Sequence, residues 1–152
     1  MKYLAVIFGI FGLDAGIKSH IENQYGEKEQ RPKCGGFLLI QKYHNGGAFL
    51  NAGQGSPKLV AALSVLFTLL LTVLFILSLT KAGSGTLKWG LTMLLGGAYG
   101  NTYDRLKRKY VVDYVSFRVP LKGLRQVVFN IGDFCIMAGA ALVVIASGQN
   151  YT

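Results

Sequence analysis

The sequence predicts an all-α integral membrane protein, four transmembrane helices with a small β platform at one end. Three observations predict it. The apolar residues, 51% of 152, gather in four long blocks instead of being spread along the chain. Charged residues make up 15%, too few for a disordered chain and unlike an ordinary water-soluble enzyme. Two long polar loops contain β-branched and aromatic runs of strand character. The length suits one domain, residues 1–152.

Block one, residues 3–17, is broken by Asp14 and has the length of a short membrane helix. A secretory signal peptide is the alternative, but no small-x-small cleavage site follows it. Block two, 59–79, has no charge in 21 residues. Block three, 87–103, carries Gly96, Gly97 and Gly100; Gly96 and Gly100 form a small-xxx-small pair that lets helix backbones approach. Block four, 127–146, is interrupted by Asn130 and Asp133. The turn at 80–86 is short, so blocks two and three form a helical hairpin. Alternation then places loop one (18–58) and loop three on the same membrane side. The runs 37–43 and 110–119 read as strands of a shared platform. In the second, Val111, Asp113, Val115, Phe117 and Val119 share a face, and Asp113 is its odd member.

The formal net charge is +9, which fits anionic lipid better than nucleic acid in a chain this apolar. The basic run from Arg105 to Lys109 follows a membrane block directly and is expected at lipid head groups. Cys34 and Cys135 make no disulfide framework. His20 and His44 stand alone, and no zinc spacing, P-loop or dinucleotide fingerprint occurs. No metal, cofactor or nucleic-acid partner is expected.

The acids point to chemistry. Glu22, Glu27 and Glu29 cluster in one polar segment, while Asp14, Asp104 and Asp133 lie in or beside apolar blocks. A carboxyl there costs roughly 2.5–3.5 kcal/mol to insert, so it is read as functional by default. By topology all three converge on one membrane face. Asn101-Thr-Tyr-Asp104 closes block three and Asn130-Ile-Gly-Asp133 opens block four. At i,i+3 on a helix each Asp has an amide neighbour one turn away. Two carboxyls brought together cannot both ionise easily; one can activate water while the other, protonated, polarises a carbonyl. Asp104 and Asp133 are therefore expected as the catalytic pair, supported by Asn101 and Asn130. The competing reading is local capping or pairing, for example with Arg105. Asp14 and Lys18, four apart, read as an ion pair on helix one that also braces the site. Asp113 either docks on the site from the platform or sits at a strand end.

These residues resemble one family. Gly96-Gly-Ala-Tyr-Gly-Asn-Thr-Tyr-Asp-Arg105, Val111-Val-Asp-Tyr-Val115 and Phe129-Asn-Ile-Gly-Asp133, in that order, are similar to the motifs of lipoprotein signal peptidase, signal peptidase II. Leu13-Asp14 with Lys18, and Asn45-Gly-Gly-Ala-Phe49, resemble its remaining motifs. Gly132 departs from the usual Ala and is expected to loosen the helix start; the first-loop motif is commonly one residue longer. The resemblance implies a bacterial membrane aspartyl endopeptidase. It would remove the signal peptide of diacylglyceryl-modified prolipoproteins just before the lipid-modified cysteine. By motif, Asp104 and Asp133 would be catalytic. Asn101, Asn130, Asp14, Asn45, Arg105 and Asp113 would support the site or substrate, with 46–49 as a contact. The platform would be extracytoplasmic, both termini cytoplasmic, and the enzyme a multi-pass monomer in the cytoplasmic membrane, with prolipoprotein and lipid as partners.

Two features compete with that picture. Loops one and three carry 13 of the 16 Lys and Arg, so a positive-inside count puts them in the cytoplasm, although the rule weighs long loops little. Intramembrane acids also suit a small transporter or proton relay, and a non-catalytic lipoprotein-binding protein would keep the fold.

Overall fold

A computed structural model describes residues 1–27, 29–47, 55–80, 82–83, 85–121, 123 and 127–148. Its elements in chain order are α1 (Lys2–Gln24), β1 (Gln30–Lys33), β2 (Leu38–Asn45), α2 (Pro57–Leu79), α3 (Gly85–Lys107), β3 (Val111–Phe117), β4 (Val128–Phe129) and α4 (Ile131–Gly148). The architecture is mostly helical with one small sheet.

α1, α2 and α4 are long and apolar enough to cross a membrane. A helix of 23 residues, such as α2, is about 34 Å long against a hydrocarbon core of about 30 Å. Pro57 starts α2, where its fixed φ suits the first turn and its missing N–H costs nothing. Most of the leucines of α2 stay exposed, Leu63, Leu66 and Leu70 among them, as a lipid-facing surface requires.

α3 has the same length as α1 and α2 but is less apolar. The reason is its place. α1, α2 and α4 all pack on α3, and its residues from Gly90 to Asp104 are largely buried. A central helix is shielded by its neighbours, so packing and not hydropathy sets its composition. Its glycines serve two partners. A Cβ on Gly96 would come 2.8 Å from Ile10 of α1, and one on Gly97 would come 2.2 Å from the Gly132 carbonyl of α4. Gly90 of α3 and Gly139 of α4 face each other in the same way. Gly83, at φ +80°, lies in the turn between α2 and α3, in a left-handed conformation that favours glycine.

The sheet is antiparallel in the order β1-β2-β3-β4; β1 to β3 come from loops one and three as the sequence indicates, and β4 from the start of block four. β2 pairs with β3 through Tyr43↔Asp113, past an irregularity between Ile40 and Tyr43. β3 is covered on both sides. Val112 and Tyr114 pack with Ile21 of α1, which explains why α1 runs on to Gln24 instead of ending at 17. Val111 and Asp113 face the other way, into a cleft.

Block four does not begin as a helix at 127. Val128 and Phe129 pair with β3, and the helix starts at Ile131. β1, whose four residues are all exposed, has no apolar alternation and leaves no trace in the pattern. Val119 lies beyond the end of β3.

Candidate active site

The sheet and the helix ends carry a polar network in which four aspartates take part. They divide by partner.

The first cluster centres on Lys18, which is 1% exposed. Its ammonium lies 2.6 Å from Asp14 Oδ2 and 3.2 Å from Asp104 Oδ2, and it donates to Asn101 Oδ1 at 2.8 Å. A buried ammonium needs counter-charge, and two carboxylates from α1 and α3 supply it. Asp104 also accepts from the Val112 amide at 3.3 Å and faces Arg108 Nε at 3.6 Å. Asp14 is 0% exposed; it accepts from the Tyr114 hydroxyl at 3.3 Å, and that hydroxyl in turn accepts from the Ile131 amide at 3.0 Å. One phenol thus satisfies an otherwise orphaned amide in the first turn of α4. Gly100 makes room for this arrangement, since a Cβ there would lie 2.8 Å from Asp14 Oδ2.

The second cluster contains Asp113 and Asp133. Asp113 accepts from Asn130 Nδ2 at 2.7 Å and from Asn45 Nδ2 at 3.0 Å, one on each oxygen. Asp133 accepts from Asn101 Nδ2 at 2.8 Å and from the Asn130 amide at 2.9 Å. The Asp133 amide returns a bond to Asn130 Oδ1 at 2.9 Å. Asn130 and Asp133 therefore form a reciprocal capping box at the start of α4, and this cap is what ends β4 and begins the helix. Asn130 also donates to Asn101 Oδ1 at 3.1 Å, which ties the second cluster to the first.

The two clusters face different surroundings. Asp113 and Asp133 line a cleft of about 260 Å³, together with Asn45, Asn101, Arg105 and Phe129; Asp104 is not among its lining residues. Burial pushes the Asp113 carboxyl up to about 7. The neighbouring Asp133 charge adds to the rise, while the Asn45 and Asn130 hydrogen bonds oppose it. Arg105 donates to the Gly47 carbonyl at 3.0 Å, and its Nε is buried without a partner among the described residues.

The chain belongs to the signal peptidase II family. The family model for signal peptidase (SPase) II matches residues 6–148. A lipoprotein signal peptidase of Ralstonia nicotianae is 36% identical over 138 residues, covering 88% of this chain and 76% of that protein. One of Mesorhizobium japonicum is 30% identical over 145 residues, covering 93% and 82%. The fold is similar to that of a bacterial membrane enzyme solved by the in meso method at 2.3 Å resolution, with TM-score 0.85, 20% identity, and coverage of 99% of this chain and 90% of that one. A second such structure, at 1.9 Å, has TM-score 0.77 and 21% identity. Family and apolar helices together point to a membrane peptidase of bacterial type.

The residues chosen from sequence all lie in this network. Asp104 does not meet Asp133. Its carboxylate is held against the buried Lys18, and Asp113 of β3 stands across from Asp133 instead. Asn130 donates to Asp133, the acid of its own motif, whereas Asn101, expected beside Asp104, also donates to Asp133; Asn45 donates to Asp113. The Asp14–Lys18 pair forms as expected. The reach of Lys18 to Asp104 and Asn101 has no signature in its i,i+4 spacing from Asp14. At Gly132 a Cβ would lie 2.9 Å from Asn130 Oδ1 and 3.2 Å from the Gly97 carbonyl, so the usual Ala would be tight there. The basic run does not all face outward: Arg105 and Arg108 turn onto the network, while Lys107 and Lys109 are exposed. Ala48 and Phe49 of the expected first-loop contact fall outside the described residues.

Proposed function

We propose that this chain is an aspartyl endopeptidase that removes the signal peptide from diacylglyceryl-modified prolipoproteins, cleaving before the modified cysteine, with Asp113 and Asp133 as its acid pair. One observation carries the reading. Two carboxyls from separate elements line one cleft, each oriented by amide hydrogen bonds, and burial raises Asp113 against the pull of those bonds. Such a pair titrates together and holds a proton near neutral pH. Its carboxylate takes a proton from water, the water oxygen attacks the scissile carbonyl, and the protonated partner donates to the carbonyl oxygen. The proton gained then passes to the leaving amine as the C–N bond breaks, and the partner carboxylate takes back a hydroxyl proton of the intermediate, which restores the pair. Asn45 and Asn130 keep the Asp113 oxygens aimed, and Arg105 borders the cleft where a substrate backbone lies.

α3 is the fourth membrane helix in this reading, its lower hydropathy excused by its central position. The sheet lies on the outer face and both termini in the cytoplasm. This topology follows the family motifs over the loop charge count. The substrate's acyl chains stay in the bilayer, and its peptide enters the cleft at the interface. The enzyme works as a monomer.

The test is a gel-shift assay with purified protein and a diacylglyceryl-modified prolipoprotein. Wild type is expected to cleave, and Asp133→Asn to lose about 10³-fold or more in rate while remaining folded. Near-normal cleavage by the folded variant would refute the acid pair.

A further inference from the structure

A second and larger cavity, about 770 Å³, lies away from the acid pair between α1, α2 and α3. α1 and α2 each pack on α3, and the groove runs between them. Its walls include Ile7 and Phe11 of α1 and Leu69 and Phe75 of α2, and its floor includes Leu95 and Tyr99 of α3. The polar atoms along it are matched to one another: Thr68 Oγ1 with Thr102 Oγ1 at 2.9 Å, and Thr72 Oγ1 with the Tyr99 hydroxyl at 2.8 Å. An apolar occupant would leave no donor or acceptor of these pairs stranded. Both walls belong to helices apolar enough to span a bilayer, so the surrounding medium is hydrocarbon chain.

The groove has a charged end. Tyr103 and Leu106 close it near the sheet. There Lys107 lies over the Tyr103 ring at 5.3 Å and donates to its hydroxyl at 2.9 Å. Its side chain is exposed, unlike those of Arg105 and Arg108. A cation thus stands at the lip of a hydrocarbon slot in a chain of net charge +9. We propose that the groove between α1 and α2 binds an acyl chain of an anionic phospholipid whose phosphate is met by Lys107. The charge at the lip selects the anionic head group, and the apolar walls take the chain. Thr68 and Thr102 line both this groove and the active-site cleft. A bound chain therefore braces α2 against α3 directly behind the wall of the cleft. The inference rests on the membrane placement of α1 and α2 and not on the peptidase reading.

The test uses full-length protein in detergent and phosphatidylglycerol carrying a diazirine on one acyl chain. After irradiation and digestion, label is expected in α1 and α2 peptides that line the groove. Unlabelled phosphatidylglycerol is expected to compete about fivefold better than phosphatidylcholine, and Lys107→Gln to remove that preference. Leu69→Trp, which fills the groove from an exposed position, is expected to cut labelling by either lipid. Label spread evenly over all four helices, or labelling unchanged in both variants, would overturn the proposal. So would displacement of the label by the lipopeptide substrate without any head-group preference, which would make the groove part of the substrate site.

Discussion

The Lys18 cluster and the Asp113–Asp133 pair are built from the same side chain and joined through Asn101, yet they are electrostatic opposites. Asp14 and Asp104 lie against an ammonium that neutralises them, and both are closed off from the cleft. Asp113 and Asp133 receive amide hydrogen bonds and line the cleft. Hydrogen bonds from amides also favour the charged form of a carboxyl, but at Asp113 burial outweighs them and pushes the group up to about 7. Partner chemistry and access to the cleft, more than position along the helices, set the two pairs apart.

The sharpest way to break this division is Lys18→Met. It leaves two buried carboxyls without the ammonium they share, and a loss of about 3–5 kcal/mol is expected. Thermal unfolding in detergent measures it, and adding Asp104→Asn is expected to recover part of the loss. If Lys18→Met unfolds like wild type, the cluster is not the anchor described. Next in size is Gly97→Ala. Its Cβ would meet the Gly132 backbone carbonyl at 2.2 Å, so α3 and α4 must part, at about 1–3 kcal/mol. Because Gly132 lies beside Asp133, catalysis is expected to fall as well as stability. Normal turnover in that variant would show that the helix spacing does not position the pair.

A smaller effect is pH dependence. The folded chain holds the Asp113 proton more tightly than an unfolded chain does, with its carboxyl raised from 3.8 to about 7. Its contribution to stability is full below 3.8 and is lost as pH rises through about 7. Cleavage is expected to decline over the same upper limb as the pair loses its shared proton. Asp113→Asn is expected to flatten the stability profile in that window, and an unchanged profile would count against the assignment.

Much of this was legible in the residues. Long apolar blocks mark the helices, because a bilayer leaves few alternatives to a continuous helix. The convergence of Asp14, Asp104 and Asp133 follows from alternation of the helices across a membrane. The placement of Asp104 against Lys18 and of Asp113 in the cleft was not legible, because helix periodicity places a side chain on a face without saying which neighbour fills that face. The clue was present in β3, where Asp113 is the polar member of an apolar row. A buried acid on a strand needs a reason, and facing Asp133 supplies it. The start of α4 was misplaced for a related reason: Val128 and Phe129 are as apolar as the helix that follows, and the boundary is set by the Asn130–Asp133 cap.

The central claim is tested most directly by comparing Asp113→Asn with Asp104→Asn on one diacylglyceryl-modified prolipoprotein, each rate normalised to folded protein. The account predicts that Asp113→Asn loses about 10³-fold or more, while Asp104→Asn loses stability and keeps measurable cleavage. Near-wild-type cleavage by Asp113→Asn, with none by folded Asp104→Asn, would contradict it and return the catalytic role to α3.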